Sequence, residues 1–212
     1  MSNLNIGDEI LTVGQDEHLV YSEIILFLDR DPSVTRLYYH IETKSGKVIT
    51  VTETHLVFVT YSPNSSFGDP SSHAIFASKI ELGMYILIRQ ESKLNATIKE
   101  EKLVSEEVVR ITTSKKQGAF APLTKEGNLI VDQVVVSCYA LIADQSLAHL
   151  AFVPIRIWSN FIDSLKIIKK LIHLESSKLS KSQTSIQNGI HWYPKLLYSL
   201  SDYILSNDLM YS

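Results

Sequence analysis

Four residues have side chains whose types and spacing could do chemistry: Thr52, His55, Asp29 and Cys138. The string Thr52-Glu53-Thr54-His55 sets a hydroxyl three residues ahead of an imidazole, the side chain best suited to trading a proton near neutral pH. That hydroxyl could hold a carbonyl or orient the ring. Isolated histidines are more often surface or hydrogen-bonded core residues, so the pair alone leaves both readings open. Asp29 follows the apolar run 24–28 and precedes Arg30-Asp31-Pro32. This is ordinary turn chemistry, yet a carboxylate just past a buried strand could act as a general base if desolvated beside a hydroxyl. Cys138 is the only cysteine, which excludes an intramolecular disulfide and a cysteine-based zinc site. Lone cysteines are usually small buried hydrophobes. His149 could stabilise a chain end as easily as act. With no phosphate-binding glycine loop, HExxH or nucleophile elbow, no metal or cofactor is expected.

The elements that must position these residues read as strands. Residues 20–27, 37–41, 47–51, 55–61, 74–77, 85–89, 106–112 and 128–139 are apolar or alternating and rich in β-branched and aromatic side chains. Clusters such as Asp31-Pro32-Ser33, Ser45-Gly46 and Ser62-Pro63-Asn64 separate them. The expectation is an all-β unit, sandwich-like or compactly pseudo-barrelled. It also repeats. Gly7-Asp8-Glu9-Ile10-Leu11 resembles Gly83-Met84-Tyr85-Ile86-Leu87, Ser22-Glu23-Ile24-Ile25 resembles Glu106-Glu107-Val108-Val109, and Thr43-Lys44-Ser45-Gly46 resembles Thr124-Lys125-Glu126-Gly127. Three matches in one order at nearly constant offset predict a duplicated unit around a pseudo-two-fold axis. At the offset of the third match, Thr52 falls on Gln133 and His55 on Val136. The second half packs a valine where the first carries an imidazole, so the fold as such does not require His55.

After Pro154 the periodicity changes. Trp158, Phe161, Ile162, Leu165, Ile168 and Ile172 recur at steps of three and four with lysines interleaved, which predicts an amphipathic helix. Residues 175–188 form a polar connector, and Trp192, Leu196, Leu200 and Tyr203 make a second apolar stripe. The division is therefore 1–153 for the β unit and 154–212 for a short helical tail. Having no evident core of its own, the tail must lie on the β unit, on a membrane surface or on a lipid. The chain of 212 residues carries a net charge of −3 and has no basic stripe, so nothing points to nucleic acid. Residues 1–8 do not read as a signal peptide, and no apolar run approaches the ~20 residues of a membrane span. The sequons at Asn64 and Asn95 would be usable only in a secretory compartment.

Several segments, in order and across nearly the whole chain, resemble the C-terminal autoprocessing half of Hedgehog proteins. They are Ile6-Gly7-Asp8 through Leu11, Tyr21-Ser22-Glu23 through Asp31, and the TxxH followed by Leu56-Val57-Phe58-Val59. Ile75-Phe76-Ala77-Ser78, Ala121-Pro122-Leu123-Thr124 through Gly127, Ser137-Cys138-Tyr139-Ala140, Ser146-Leu147-Ala148-His149 and Gly189-Ile190-His191-Trp192-Tyr193 complete the set. The resemblance implies the Hint fold, a duplicated all-β unit shared with inteins. It also implies a two-step self-cleavage. A leading cysteine forms an internal thioester with the preceding carbonyl, and a sterol hydroxyl, cholesterol in animals, then resolves it. The upstream signalling fragment, the partner in cis, leaves as a sterol ester.

By the same resemblance His55 protonates the departing amine, Thr52 assists at the scissile bond and Asp29 activates the sterol hydroxyl. Cys138 matches a second family cysteine that is at most a redox partner of the first. The tail matches the sterol-recognition region, with Trp158, Phe161, Trp192 and Tyr193 as contacts. Localisation would be the secretory pathway or extracellular. The sterol is a co-substrate, and no cofactor is implied. The chain departs from the pattern at its start, where residues 1–6 run into Gly7-Asp8 without a Cys-Phe junction or first strand. As written it is expected to be truncated and not to self-cleave. The competing reading is a non-catalytic Hedgehog-like module for lipid binding or interaction. An intein-type splicing element would end in a His-Asn pair, and residues 208–212 exclude that.

Overall fold

Two glycines open equivalent hairpins. Gly7 and Gly83 sit in the left-handed region, at φ 94° and 85°, where a side chain would be strained. The Gly7 N–H donates to Ile24 O and the Ile24 N–H to Asp8 O, both at 2.9 Å. The Gly83 N–H donates to Val108 O at 3.0 Å and the Val108 N–H to Met84 O at 2.8 Å. Behind them β1 (Glu9–Val13) pairs with β2 (Leu19–Thr43) from Glu9↔Glu23 to Val13↔Leu19. Later in the chain, β6 (Tyr85–Lys93) pairs with β7 (Lys99–Thr124) from Tyr85↔Glu107 through Arg89↔Leu103, rung for rung. β2 and β7 pair antiparallel from Ile24↔Thr124 to Thr43↔Val108. Exchanging Ile24 with Val108 and Thr43 with Thr124 maps this ladder onto itself. The pseudo-two-fold axis expected from the sequence passes through its middle.

The remaining strands complete a mainly β, antiparallel unit. β3 (Val48–Thr52) adds to β2, and β5 (His73–Phe76) adds to β4 (His55–Thr60). β8 (Asn128–Val131) and β9 (Val134–Ala140) form a hairpin that packs on β4. The path β1-β2-β7-β6-β4-β9-β8 starts and ends with strands that lie against each other, so the sheet nearly closes on itself. Its interior holds Leu28, Ile41, Ile49, Leu56, Ile86 and Leu123, all buried. The structure, a computed structural model, describes residues 1–93, 99–140, 144–171 and 189–204. Asn95 and the connector 175–188 lie outside them, as do Ile172 and the side chains of Ile168, Leu200 and Tyr203.

The structure departs from the sequence reading in three places. Asp31-Pro32-Ser33 does not end a strand. The register jumps from Asp31↔Ala119 to Thr35↔Gln117, leaving Pro32, Ser33 and Val34 opposite Gly118. Asp31 Oδ1 accepts from the Ser33 and Val34 N–H groups at 2.8 and 3.1 Å, so the turn chemistry is spent on a bulge inside β2. Residues 128–139 are two strands, split at Asp132 and Gln133 with φ 50° and 71°. A helix that the periodicity missed, α1 (Gln145–Ala151), precedes α2 (Val153–Leu171); the Asp144 carboxylate caps it by accepting from the Ser146 and Leu147 N–H groups. β10 (Gly189–Ile190) and α3 (Trp192–Ile204) follow. The tail packs on the unit before it: Tyr193 meets Phe152, itself stacked on Tyr139, edge-on at 5.4 Å, and the Tyr193 hydroxyl donates to Ala151 O at 2.9 Å. No helix among the described residues is long and apolar enough to cross a membrane.

A buried side chain bridges the sheet's near-closure. Asn128, buried on β8, accepts from the Val13 N–H and donates to Val13 O, both at 2.8 Å. Replacing it with alanine strands both backbone groups out of water, at about 1–3 kcal/mol each. Asn128→Ala should therefore lower the unfolding free energy by at least about 2 kcal/mol, read as a shifted urea midpoint at unchanged slope.

Candidate active site

Thr52 ends β3, His55 begins β4, and only Glu53-Thr54 lies between them. The Ser78 N–H donates to Glu53 O at 3.1 Å, pinning this turn. Thr52 stands opposite Tyr38 on β2, and Asp29, further along β2, stands opposite Ala121 of β7. The strands enclose a cavity of about 370 Å³ lined by Asp29, Thr52, His55 and Cys138, the four residues singled out in the sequence. Its apolar walls include Leu28, Leu37, Val51, Pro122 and Val136, and Met1 also lines it.

Burial sets the chemistry of the first two groups. His55 Nε2 is buried without a hydrogen-bond partner. Desolvation pushes the imidazole down to about 4, opposed by a hydrogen bond to the Ser137 backbone. In the tautomer that carries its proton on Nδ1, Nε2 is a free lone pair. Asp29 Oδ1 is likewise buried and unpartnered. Burial raises its carboxyl above the ordinary range; the Arg36 guanidinium and the Arg30 N–H oppose this and Asp31 adds to it. Among the described residues these are the two buried side-chain polar atoms without a partner, and their residues line one cavity. Such a site holds a lone-pair base and a tuned carboxylate in a partly apolar enclosure.

Cys138 has the opposite character. It is buried on β9 with Thr124 Oγ1 at 3.5 Å, and burial pushes its thiol up to about 11. At neutral pH it is a protonated thiol and a poor nucleophile. His149 is a packing residue: its Nδ1 meets the Tyr139 hydroxyl at 3.0 Å and Arg156 Nη1 at 2.7 Å. It fills the space beside Gly127, where a Cβ would come within 2.3 Å of the ring.

The tail residues separate. Trp158, Phe161 and Trp192 are exposed, the first two in contact at 6.0 Å between ring centroids, whereas Tyr193 is half-buried against Phe152. None of these four lines the cavity; the tail residue that does is Ile190. Sequence reasoning missed Arg36, Tyr38, Glu53 and Ile190 as lining residues. Strand pairing could have found Tyr38, whose hydroxyl donates to Gly118 O at 2.5 Å, once β2 was known to run past Pro32.

A family model described as Hint module matches residues 1–206. The sonic hedgehog protein of Danio rerio is 34% identical over 213 residues, 100% of this chain and 47% of that protein. Protein hedgehog of Drosophila melanogaster is 36% identical over 205 residues, 97% of this chain and 40% of its own length. The chain thus spans less than half the length of these relatives. Among solved structures, Ssp DnaB Mini-Intein variant M86 aligns with a TM-score of 0.48 at 15% identity, covering 63% of this chain and 77% of that one.

Two measurements follow from the burial of the site. The unfolded chain takes a proton on His55 near 6.5 and the folded protein only near 4, so stability falls as pH drops from 6.5 toward 4. His55→Gln should remove about 2–3 kcal/mol of that fall, measured by urea unfolding at the two ends of the window; His149, also held near 4, supplies remaining slope. Cys138 should resist iodoacetamide in the native protein at mildly alkaline pH and react fully once urea unfolds it; equal rates in both states would contradict its burial.

Proposed function

The chain belongs to the Hint-module family as a hedgehog-type Hint domain, and from that premise we propose that its cavity serves self-cleavage through an internal thioester, followed by transfer of a sterol to the released upstream fragment. The observation that carries this reading is the placement of two unpartnered buried polar atoms, His55 Nε2 and Asp29 Oδ1, on side chains lining one cavity. Leaving such atoms unmade costs stability, and a fold needing only rigidity gains nothing from them.

The first step needs a base for a thiol and an acid for an amine. A cysteine sulfur at the junction ahead of the domain attacks the preceding carbonyl while neutral His55 takes the thiol proton on Nε2. The same proton then goes to the departing amine as the C–N bond breaks. A ring held near 4 suits this shuttle, because it surrenders the proton readily. Thr52, at the cavity wall, assists by donating to the tetrahedral oxyanion. In the second step Asp29 takes the proton of the sterol hydroxyl as that oxygen attacks the thioester. The C–O bond forms, the C–S bond breaks, and the sulfur leaves as a thiolate that is reprotonated. Met1 lines the cavity, which suits an upstream segment delivered to His55. Cys138, with its raised thiol, stands aside from the chemistry as at most a redox partner of the leading cysteine. The exposed aromatics Trp158, Phe161 and Trp192 fit sterol or membrane-surface contact, and by resemblance to hedgehog proteins the reaction belongs to the secretory pathway.

The test is a reporter fused ahead of the whole chain through the Cys-Phe junction and first strand of a hedgehog relative. Dithiothreitol should release the reporter by trapping the thioester, and cholesterol should release it as an ester. His55→Ala should slow both by about 10²-fold or more. Asp29→Ala should spare thiol-driven release and abolish the sterol-driven one. If the unmutated fusion releases nothing under either condition, the chain is a non-catalytic lipid-binding or interaction module.

A further inference from the structure

β10 is only two residues long, yet it is where the C-terminal segment reaches the reacting groups. Gly189 pairs with Arg30 and Ile190 with Asp29, and the His191 N–H donates to Leu28 O at 2.9 Å. Ile190 therefore stands directly across from the carboxylate. The strap is held from its other side as well, since α3 begins at Trp192 and Tyr193 is fixed on Ala151 and Phe152. Gly189 adopts φ 92° with open space where a Cβ would stand, so the glycine serves the bend of the strap and not a tight fit.

Ile190 lines the cavity and is 45% exposed. A side chain so placed has one face in the cavity and one in solvent, and contributes little to the core. Its position bounds the approach to the carboxylate whose Oδ1 has no partner. On the autoprocessing reading, on which this rests, two hydroxyl compounds compete at that carboxylate: the sterol and water. Both react with the thioester through the same balance of bonds, giving an ester or a free carboxylate, so selection must come from the shape around Asp29.

We infer that Ile190 is a specificity-determining residue. It forms the apolar wall on which the hydrocarbon body of the acceptor rests while Asp29 takes the hydroxyl proton. Water, which has no hydrocarbon body to rest there, gains nothing from that wall, so the wall favours ester over acid. The strap built by Gly189–Ile190 and His191 thereby makes the tail part of the second step and leaves the first step to residues of the β unit.

The reporter fusion tests this by product ratio. Ile190→Ala should raise the fraction released as free carboxylate, relative to sterol ester, at least fivefold. Ile190→Trp should cut sterol-ester formation at subsaturating cholesterol at least tenfold, through a raised KM. Ile190→Val should stay close to the parent. In all three, dithiothreitol-driven release should remain within twofold, because the thioester step does not involve the strap. An unchanged ester-to-acid ratio overturns the inference, and so does a parallel loss of thiol-driven release, which would make Ile190 merely structural. A parent fusion that forms no thioester sinks the autoprocessing reading itself, and a parent that answers to thiol but not to sterol removes the acceptor this residue is said to select.

Discussion

The structure depends on the ladder between β2 and β7. Its rungs join residues 65 to 100 positions apart in sequence, from Thr43↔Val108 to Ile24↔Thr124, so closing it requires ordering much of the chain before the gain is realised. Once formed, it supports everything else. Both hairpins emerge from it, β3 and β10 add to it, and Asp29 is carried on it between Ala121 and Ile190. A single ladder on a symmetry axis explains how two β units share one core without a seam. It also explains the bulge at residues 32–34, because two strands of this length must bend to wrap the sheet back on itself.

Against that well-satisfied framework the cavity stands out as locally frustrated. Elsewhere among the described residues, buried polar side chains are paired: Asn128 with Val13, Thr124 with Asn128 O at 2.8 Å, Ser137 with the Tyr139 N–H at 2.9 Å. At the cavity, a lone pair and a carboxylate oxygen are left without partners. Low polarity drives both groups toward their neutral forms, and Arg36 supplies the countervailing charge for Asp29. Local conflict inside an otherwise consistent fold is the usual physical mark of a functional site.

Much of this was legible in the sequence because turn chemistry and strand alternation are local. The glycine turns at Gly7 and Gly83 announced the duplication. The strands read at 47–51 and 55–61 became β3 and β4, and the helical stripe after Pro154 became α2. What stayed hidden was set by pairing between distant segments. Asp31-Pro32-Ser33 has the composition of a chain reversal, and only Gly118 across the ladder turns it into a bulge. Arg36 and Tyr38 join the cavity only because β2 continues past that bulge. Ile190 carries no local signal, since a Gly-Ile pair becomes a strand only when an edge is offered to it. α1 was missed because its seven residues are too few to show periodicity.

Among the differences between the two copies of the duplicated unit is the stretch that holds Thr52 in the first and Gln133 in the second. In the second copy Gln133, the counterpart of Thr52, is engaged on both sides: its carbonyl accepts from the Arg89 N–H at 2.7 Å and its side chain accepts from Arg89 Nη1 at 3.1 Å. Arg89 is in turn bound to Glu101 at 3.1 Å through Nε. Arg89 thus ties the β8–β9 turn to β6 and reaches Glu101 on β7, and Val136 follows as a buried apolar residue. In the first copy the corresponding turn leads into His55, whose Nε2 is spent on nothing. The two stretches match in sequence but are carried differently, since β3 pairs with β2 whereas β8 pairs with β9. The first copy also keeps hydrogen-bonding capacity in reserve at His55 Nε2. A duplicated fold can carry that reserve in one half because the other half, which has no unpartnered buried side-chain polar atom among its described residues, supplies the rigidity.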